Sequence, residues 1–306
     1  MPSRTVRLQV VGAMLLIAVL FSMPGTAEDA SSEAVDLRIG VVADIHAHDI
    51  DSPLEGKYMS NTARRLVAFT DAMNAWPADV IVELGDFVNG WVVLGADPGD
   101  PGRIPEILTW ADSLLAAFHG PRLHVIGNHD VYNLTKDQYR TRLGLESTYY
   151  SLDIGAYHLV VLDVQFTVDG RDLANTYTGV AGAVAKEELL WLEQDLASTS
   201  LPTVICVHQM LDATVAEWGQ PLIANAVEVR RILSESGVVI AVFQGHDHAN
   251  NHSLLDGVHY ITFEAMVDQG TPPSWAYVTL SPATRTIHIR GEGEQADLHL
   301  EYTLGR

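Results

Sequence analysis

An α/β fold is predicted by three observations. Apolar runs of strand length alternate with segments of helical spacing along the first half of the chain. Hydrophobic residues make up 47% of the 306, enough for a sizeable core. After Gly257 the pattern changes to a series of strands with no helix between them.

Taken in order, 37–43 reads as a buried strand, and 61–75 follows with helical spacing through Leu66, Phe69 and Met73. Residues 80–84 form a second buried strand. The Pro-, Gly- and Asp-containing stretch 95–102 is a loop, 104–118 a helix and 123–126 a third strand. This βαβαβ order favours a sheet with helices covering its faces. Residues 149–154 and 157–163 flank Gly155-Ala156 as a hairpin. The helix 186–196, strand 203–207, helix 227–234 and strand 238–243 restore the alternation. Strands at 258–263, 275–280, 286–289 and 298–303 complete the chain. There is no internal repeat, and the two halves are expected to contribute parts of one pair of sheets within a single domain, 37–306.

The N-terminus carries a secretory pattern. Arg4 and Arg7 precede the apolar run 8–21, and Gly25-Thr26-Ala27 supplies small residues before Glu28. The run is short for a bilayer span of about 20 residues. A signal peptide at 1–27, a small acidic linker at 28–36 and an exported protein, periplasmic or extracellular, are expected, with no stable membrane insertion after cleavage. Lys and Arg number 18 against 39 Asp and Glu, a net charge of -21. Such a surface repels phosphate backbones and excludes general electrostatic binding to nucleic acid. Bound divalent ions can still make one cleft positive, so small phosphorylated substrates remain. Cys206 is the single cysteine and lies in an apolar run, so it reads as a small buried hydrophobe.

Five polar motifs stand at or just beyond the carboxyl ends of apolar runs: Asp44-Ile45-His46, Gly85-Asp86, Gly127-Asn128-His129-Asp130, His208, and Gly245-His246-Asp247-His248. Ligands of open α/β sheets gather beyond strand carboxyl ends. Carboxylate oxygen with imidazole nitrogen suits Mn, Fe or Zn without thiolates. In extended backbone, Asp44 and His46 would share one face, as would His246 and His248. Glycines before Asp86, Asn128 and His246 would permit sharp turns.

This ordered set, D-x-H, G-D, G-N-H-D, H and G-H-x-H, resembles the calcineurin-like metallophosphoesterase superfamily over about 44–248. The resemblance implies a four-layer α/β/β/α sandwich of two mixed sheets flanked by helices, and a hydrolase with two divalent metal ions. By position, Asp44, His46 and His248 would bind the first metal, Asn128, His208 and His246 the second, and Asp86 both. A bridging hydroxide would attack phosphorus, His129 would face the substrate as proton donor, and Asp130 would orient or tune it.

Residues 127–133, Leu189-Leu190-Trp191-Leu192, Asn225 with 227–232, Gly245-His246-Asp247-His248 and 257–262 look similar to the manganese-dependent ADP-ribose/CDP-alcohol diphosphatases, with Asp130 where that group has Glu. This implies a phosphodiester or nucleotide diphosphate conjugate as substrate. The alternatives are a cyclic-nucleotide phosphodiesterase, an exported phosphomonoesterase, or a non-catalytic metal-holding protein. Around the motifs, Asn89 reads as a turn residue, a support for a ligand or a substrate contact. Asp163 reads as a support or a turn residue, and His48 and His252 as polar loop residues. Trp91 and Tyr132 read as core aromatics or as the lining of a base or sugar pocket.

Overall fold

The computed structural model describes residues 35–51, 57–90, 101–174, 182–212, 223–268 and 272–305. The expected signal segment 1–27 and Trp91 lie outside them. In chain order the elements begin with β1 (Leu37–Val42), α1 (Thr62–Ala75), β2 (Val80–Glu83), α2 (Ile104–Leu115), β3 (Arg122–His124), α3 (Asn128–Tyr132) and α4 (Lys136–Leu143). Then come β4 (Tyr150–Ile154), β5 (Tyr157–Val161), α5 (Lys186–Ser198), β6 (Thr203–Cys206), α6 (Ala226–Ser236) and β7 (Val239–Gln244). The series ends with β8 (Asn251–Leu255), β9 (Val258–Thr262), β10 (Trp275–Ser281), β11 (Thr286–Glu292) and β12 (Leu298–Glu301). Among the described residues no helix is long and apolar enough to cross a membrane.

Among the described residues, two mixed sheets of six strands form, in the orders β12-β11-β10-β1-β2-β3 and β4-β5-β6-β7-β9-β8. β1, β2 and β3 run parallel, as do β5, β6, β7 and β9. The halves of the chain do not share the sheets evenly. One sheet is built wholly from β4 to β9, while the other joins both ends of the chain. β2 and β3 occupy one side of β1, so its other edge is open to β10, which pairs there antiparallel, Ile39 opposite Val278.

Side-chain alternation along the strands creates the layers. Ile39 and Val41 of β1, Val80 and Val82 of β2, Leu159 and Val161 of β5, and Val204 and Cys206 of β6 fill the space between the sheets. Val42 and Ile81 turn the other way, onto Leu66, Phe69 and Met73 of α1 and Leu108 and Ala111 of α2. Val160, Ile205 and Val242 face Leu189 and Leu192 of α5 and Val229 and Leu233 of α6. The result is the expected α/β/β/α sandwich.

Three elements carry too little apolar periodicity to be read from the sequence. α3 is five residues inside a polar motif. α4 buries only Lys136 and Tyr139. Its start is nevertheless written in Thr135 and Gln138: the Thr135 hydroxyl accepts from Gln138 N, and the Gln138 carbonyl accepts from Thr135 N. β8 is an exposed edge strand, and it carries His252, which is therefore no loop residue; its Nε2 lies 3.0 Å from His259 Nδ1 on β9.

At the start of β5, His158 is buried between two carboxylates. Its Nδ1 lies 2.6 Å from Asp153 on β4 and its Nε2 2.8 Å from Asp195 on α5. Burial opposes the charge, but the two acceptors raise its pKa above the usual value. A raised folded-state pKa gives stability that is complete below the unfolded value, near 6.5, and is lost as pH rises through the folded one. His158→Gln is therefore expected to cost about 1–3 kcal/mol at pH 5.5, and less at pH 9, in urea melts of variant and parent.

Candidate metal centre

All five motifs begin within a few residues of strand ends: Asp44 past β1, Asp86 past β2, Asn128 past β3, His208 past β6 and His246 past β7. The backbone there is not extended. Asp44, His46, Asp86, His246 and His248 all have φ between +44° and +73°, and only Asp256 and Arg285 share that sign among the other described non-glycine residues. Asp44 Oδ1 and His46 Nε2 come within 3.9 Å of each other across a left-handed bend, not along an extended strand. Left-handed conformations are disfavoured for side-chain-bearing residues and cluster where function holds them.

The glycines matter mainly for closeness. Gly85 does need its φ of +95°. A Cβ at Gly127 would collide with the main-chain N and Oδ1 of Asp86, and one at Gly245 would stand 2.6 Å from Asp44 Oδ2. Only hydrogen fits where these carboxylates lie against the turns.

Two sets of donor atoms result. In the first, His46 Nε2 is 3.1 Å from His248 Nε2 and 3.6 Å from Asp86 Oδ2, and Asp44 Oδ1 is 3.5 Å from His248 Nε2. In the second, His208 Nε2 lies 3.2 Å from Asp86 Oδ2, 3.1 Å from Asn128 Oδ1 and 3.3 Å from His246 Nδ1. Asp86 Oδ2 belongs to both. Ligands about 2.1 Å from one ion lie about 3.0–3.4 Å from each other, so these spacings suit a cation at each place. Asp44 Oδ1 is buried with no hydrogen-bond partner among the described residues, while Asp44 Oδ2 accepts from His246 N at 2.9 Å. Asp86 divides its oxygens similarly, Oδ1 accepting from His129 N at 2.7 Å. One oxygen of each carboxylate thus fixes a turn and leaves the other for a cation.

The donors are aimed from behind. His46 Nδ1 meets Asn89 Oδ1 at 3.0 Å, His208 Nδ1 meets the Leu84 carbonyl at 2.8 Å, and His248 Nδ1 meets Asp268 Oδ1 at 2.9 Å. These acceptors hold a proton on each Nδ1 and turn the Nε2 atoms inward. The Asn128 amide donates to the Tyr132 hydroxyl at 2.8 Å, which turns its oxygen to the site. Asn89 Oδ1 backs the His46 ring. Tyr132 sits at the site, its ring 4.8 Å from that of His129.

The field within the cluster favours cations. Burial opposes ionisation of Asp86, yet His208 and His129 hold its carboxyl well below the usual range. Burial lowers the basicity of His208 and His248, but Asp86 and Asp44, respectively, reverse this and raise them to about 9 and about 10. His129 differs: burial, then the charge of Lys57, holds it well below its ordinary value. Its Nε2 is 4.0 Å from Asp86 Oδ2, and it forms a third close group with His46 and Asp86.

Asp130 does not reach the ring of His129. Its Oδ1 accepts from Val88 N at 3.0 Å and its Oδ2 from Gly127 N at 2.8 Å, so it braces the two turns. Burial, then the charge of Asp86, raises it to about 7. Any hold on His129 therefore runs through the main chain, a correction to the expected side-chain role. Asp163 bonds Thr148 and Lys136, both at 2.6 Å. His48 is buried and accepts from the main chain of Asp49 and Ile50. Lys57 and Asp268 were not signalled by any motif.

The calcineurin-like phosphoesterase family model matches residues 37–250. A manganese-dependent ADP-ribose/CDP-alcohol diphosphatase of Oryza sativa subsp. japonica is 26% identical over 286 residues, spanning 78% of this chain and 86% of that protein. One of the same name from Arabidopsis thaliana is 24% identical over 293 residues, spanning 78% and 89%. The crystal structure of a dimetal phosphatase from Danio rerio shares the fold, with a TM-score of 0.71 at 20% identity over 87% of this chain and 99% of that one. The matched span runs from β1 past the last histidine motif and covers well over half of the sequence, so this chain is a hydrolase of the calcineurin-like phosphoesterase family.

Proposed function

We propose that the chain hydrolyses a phosphodiester, or the phosphoanhydride of a nucleotide diphosphate conjugate, at a dinuclear centre. Asp44, His46 and His248 hold one divalent ion, Asn128, His208 and His246 the other, and Asp86 both. The observation that carries this reading is Asp86 Oδ2, one oxygen common to two sets of converging donors. Ions held there would supply Lewis-acid chemistry, activating water as the nucleophile and neutralising charge on the phosphoryl oxygens.

The chain's own residues supply the rest. Asp86 holds the main chain of His129 through Oδ1, and the His129 ring, packed edge-on against His46 with centroids 4.5 Å apart, stands ready to protonate the leaving oxygen. A phosphoryl anion beside that ring raises its pKa and favours the protonated form. Manganese and the diphosphate substrate class are supported by the names of the two plant relatives. The N-terminal sequence supports export, with a mature chain beginning near Glu28. N-terminal sequencing of the native protein checks this, and a retained 8–21 segment in a membrane fraction would contradict it.

The substrate class is tested with manganese-reconstituted protein on p-nitrophenyl phosphate, bis-p-nitrophenyl phosphate, ADP-ribose and a CDP-alcohol. The diester or the diphosphates are expected to exceed the monoester in kcat/KM by about tenfold or more, a difference of about 1.4 kcal/mol in transition-state binding. A preference for the monoester would make the protein a phosphomonoesterase.

A further inference from the structure

Behind the first set of donors stand two opposite charges. Lys57 and Asp268 are partners in an isolated antiparallel β-bridge. Lys57 is buried, its Nζ 3.3 Å from Asn89 Oδ1 and 3.3 Å from His46 Nδ1. Asn89 Oδ1 thus accepts from both the lysine and the imidazole. Asp268 accepts from His248 Nδ1 at 2.9 Å. One strand bridge therefore backs one histidine of the set with a cation and another with an anion. In the second set the Leu84 carbonyl stands under His208 and the Tyr132 hydroxyl under Asn128, both neutral groups.

We infer that Lys57 is a positioning residue that weakens metal binding at the first position, opposed by Asp268, so that the bridge sets the affinity of that position apart from the second. The inference rests on the dinuclear reading above. An ammonium a few ångströms behind a ligating imidazole repels a dication in a buried setting where charges are poorly screened. It also draws on the acceptor that fixes the ring. A carboxylate behind an imidazole does the reverse, raising ligand basicity. The first position already has Asp44 to itself and shares Asp86. Lys57 offsets part of that negative charge, which leaves the bound ion more electrophilic toward an anionic phosphoryl group.

Mn2+ titration of the full-length, chelator-stripped protein tests this by calorimetry and by electron paramagnetic resonance of free Mn2+. The His208→Ala background isolates the first position. Lys57→Met is expected to tighten Mn2+ there by about tenfold, and Asp268→Asn to loosen it about 10–100-fold, the range for partners behind a ligand. Lys57→Arg, which keeps the charge, should match the parent. Lys57→Gln removes the charge but keeps a donor for Asn89, so it should tighten binding even if the methionine variant folds poorly. Weaker or unchanged binding in Lys57→Gln, with the parent chain still taking two ions, would overturn the inference and make the lysine a brace. Fewer than two ions in the parent would instead remove the dinuclear reading, and the inference with it.

Discussion

Asp86→Asn is expected to strip both metal ions and lower kcat/KM about 10³-fold or more. The asparagine keeps one oxygen for the His129 amide, which Asp86 Oδ1 now satisfies, so the turn is preserved. The price is Oδ2: the atom common to both donor sets becomes an NH2 group, which has no lone pair for a cation. Flipping the amide would place a donor against the His129 N–H instead. Metals in such sites stabilise the transition state by several kcal/mol, with each 1.36 kcal/mol worth a factor of ten. Metal content should fall from about two ions per chain toward none. Asp44→Asn should lose about one, because its unpartnered Oδ1 faces only the first set. Retention of two ions by Asp86→Asn would remove it from the bridging position.

His129→Ala should lower kcat by about 10²–10⁴-fold on an alkyl diester or diphosphate, the range of general acid catalysis, with metal content nearly intact. One observation separates this residue from its neighbours. Among the described residues its Nδ1 has no hydrogen-bond partner, so no acceptor aims Nε2 inward as with His46, His208 and His248. A p-nitrophenolate leaves without needing a proton, so on a p-nitrophenyl ester the defect should be small. Equal defects on both leaving groups, with both metals bound, would show that His129 acts by position or charge and not as proton donor.

Much of the site was legible because its donors follow parallel strands, whose apolar runs are easy to read, and because the polar residue types change abruptly at the strand ends. The local geometry was not legible. Nothing in Asp44-Ile45-His46 distinguishes a strand extension from a left-handed bend, and the bend is what brings the two side chains together. Asp130 misled for a related reason: its place beside His129 in sequence suggests a partner for the ring, yet its carboxylate turns to the Val88 and Gly127 amides. Lys57 and Asp268 reach the site through a single bridge between segments far apart in the chain, and no periodicity or spacing records such a contact. In the fold, the polar α4 and the exposed edge strand β8 escaped for lack of an apolar face, while both sheets' buried strands did not.

Anomalous diffraction at the manganese edge, from crystals grown with Mn2+, tests the dinuclear centre most directly. Two peaks about 3.5–4 Å apart are expected, one between Asp44, His46 and His248, the other between Asn128, His208 and His246, with Asp86 Oδ2 ligating both. A single peak, or two peaks of which Asp86 touches only one, would contradict it.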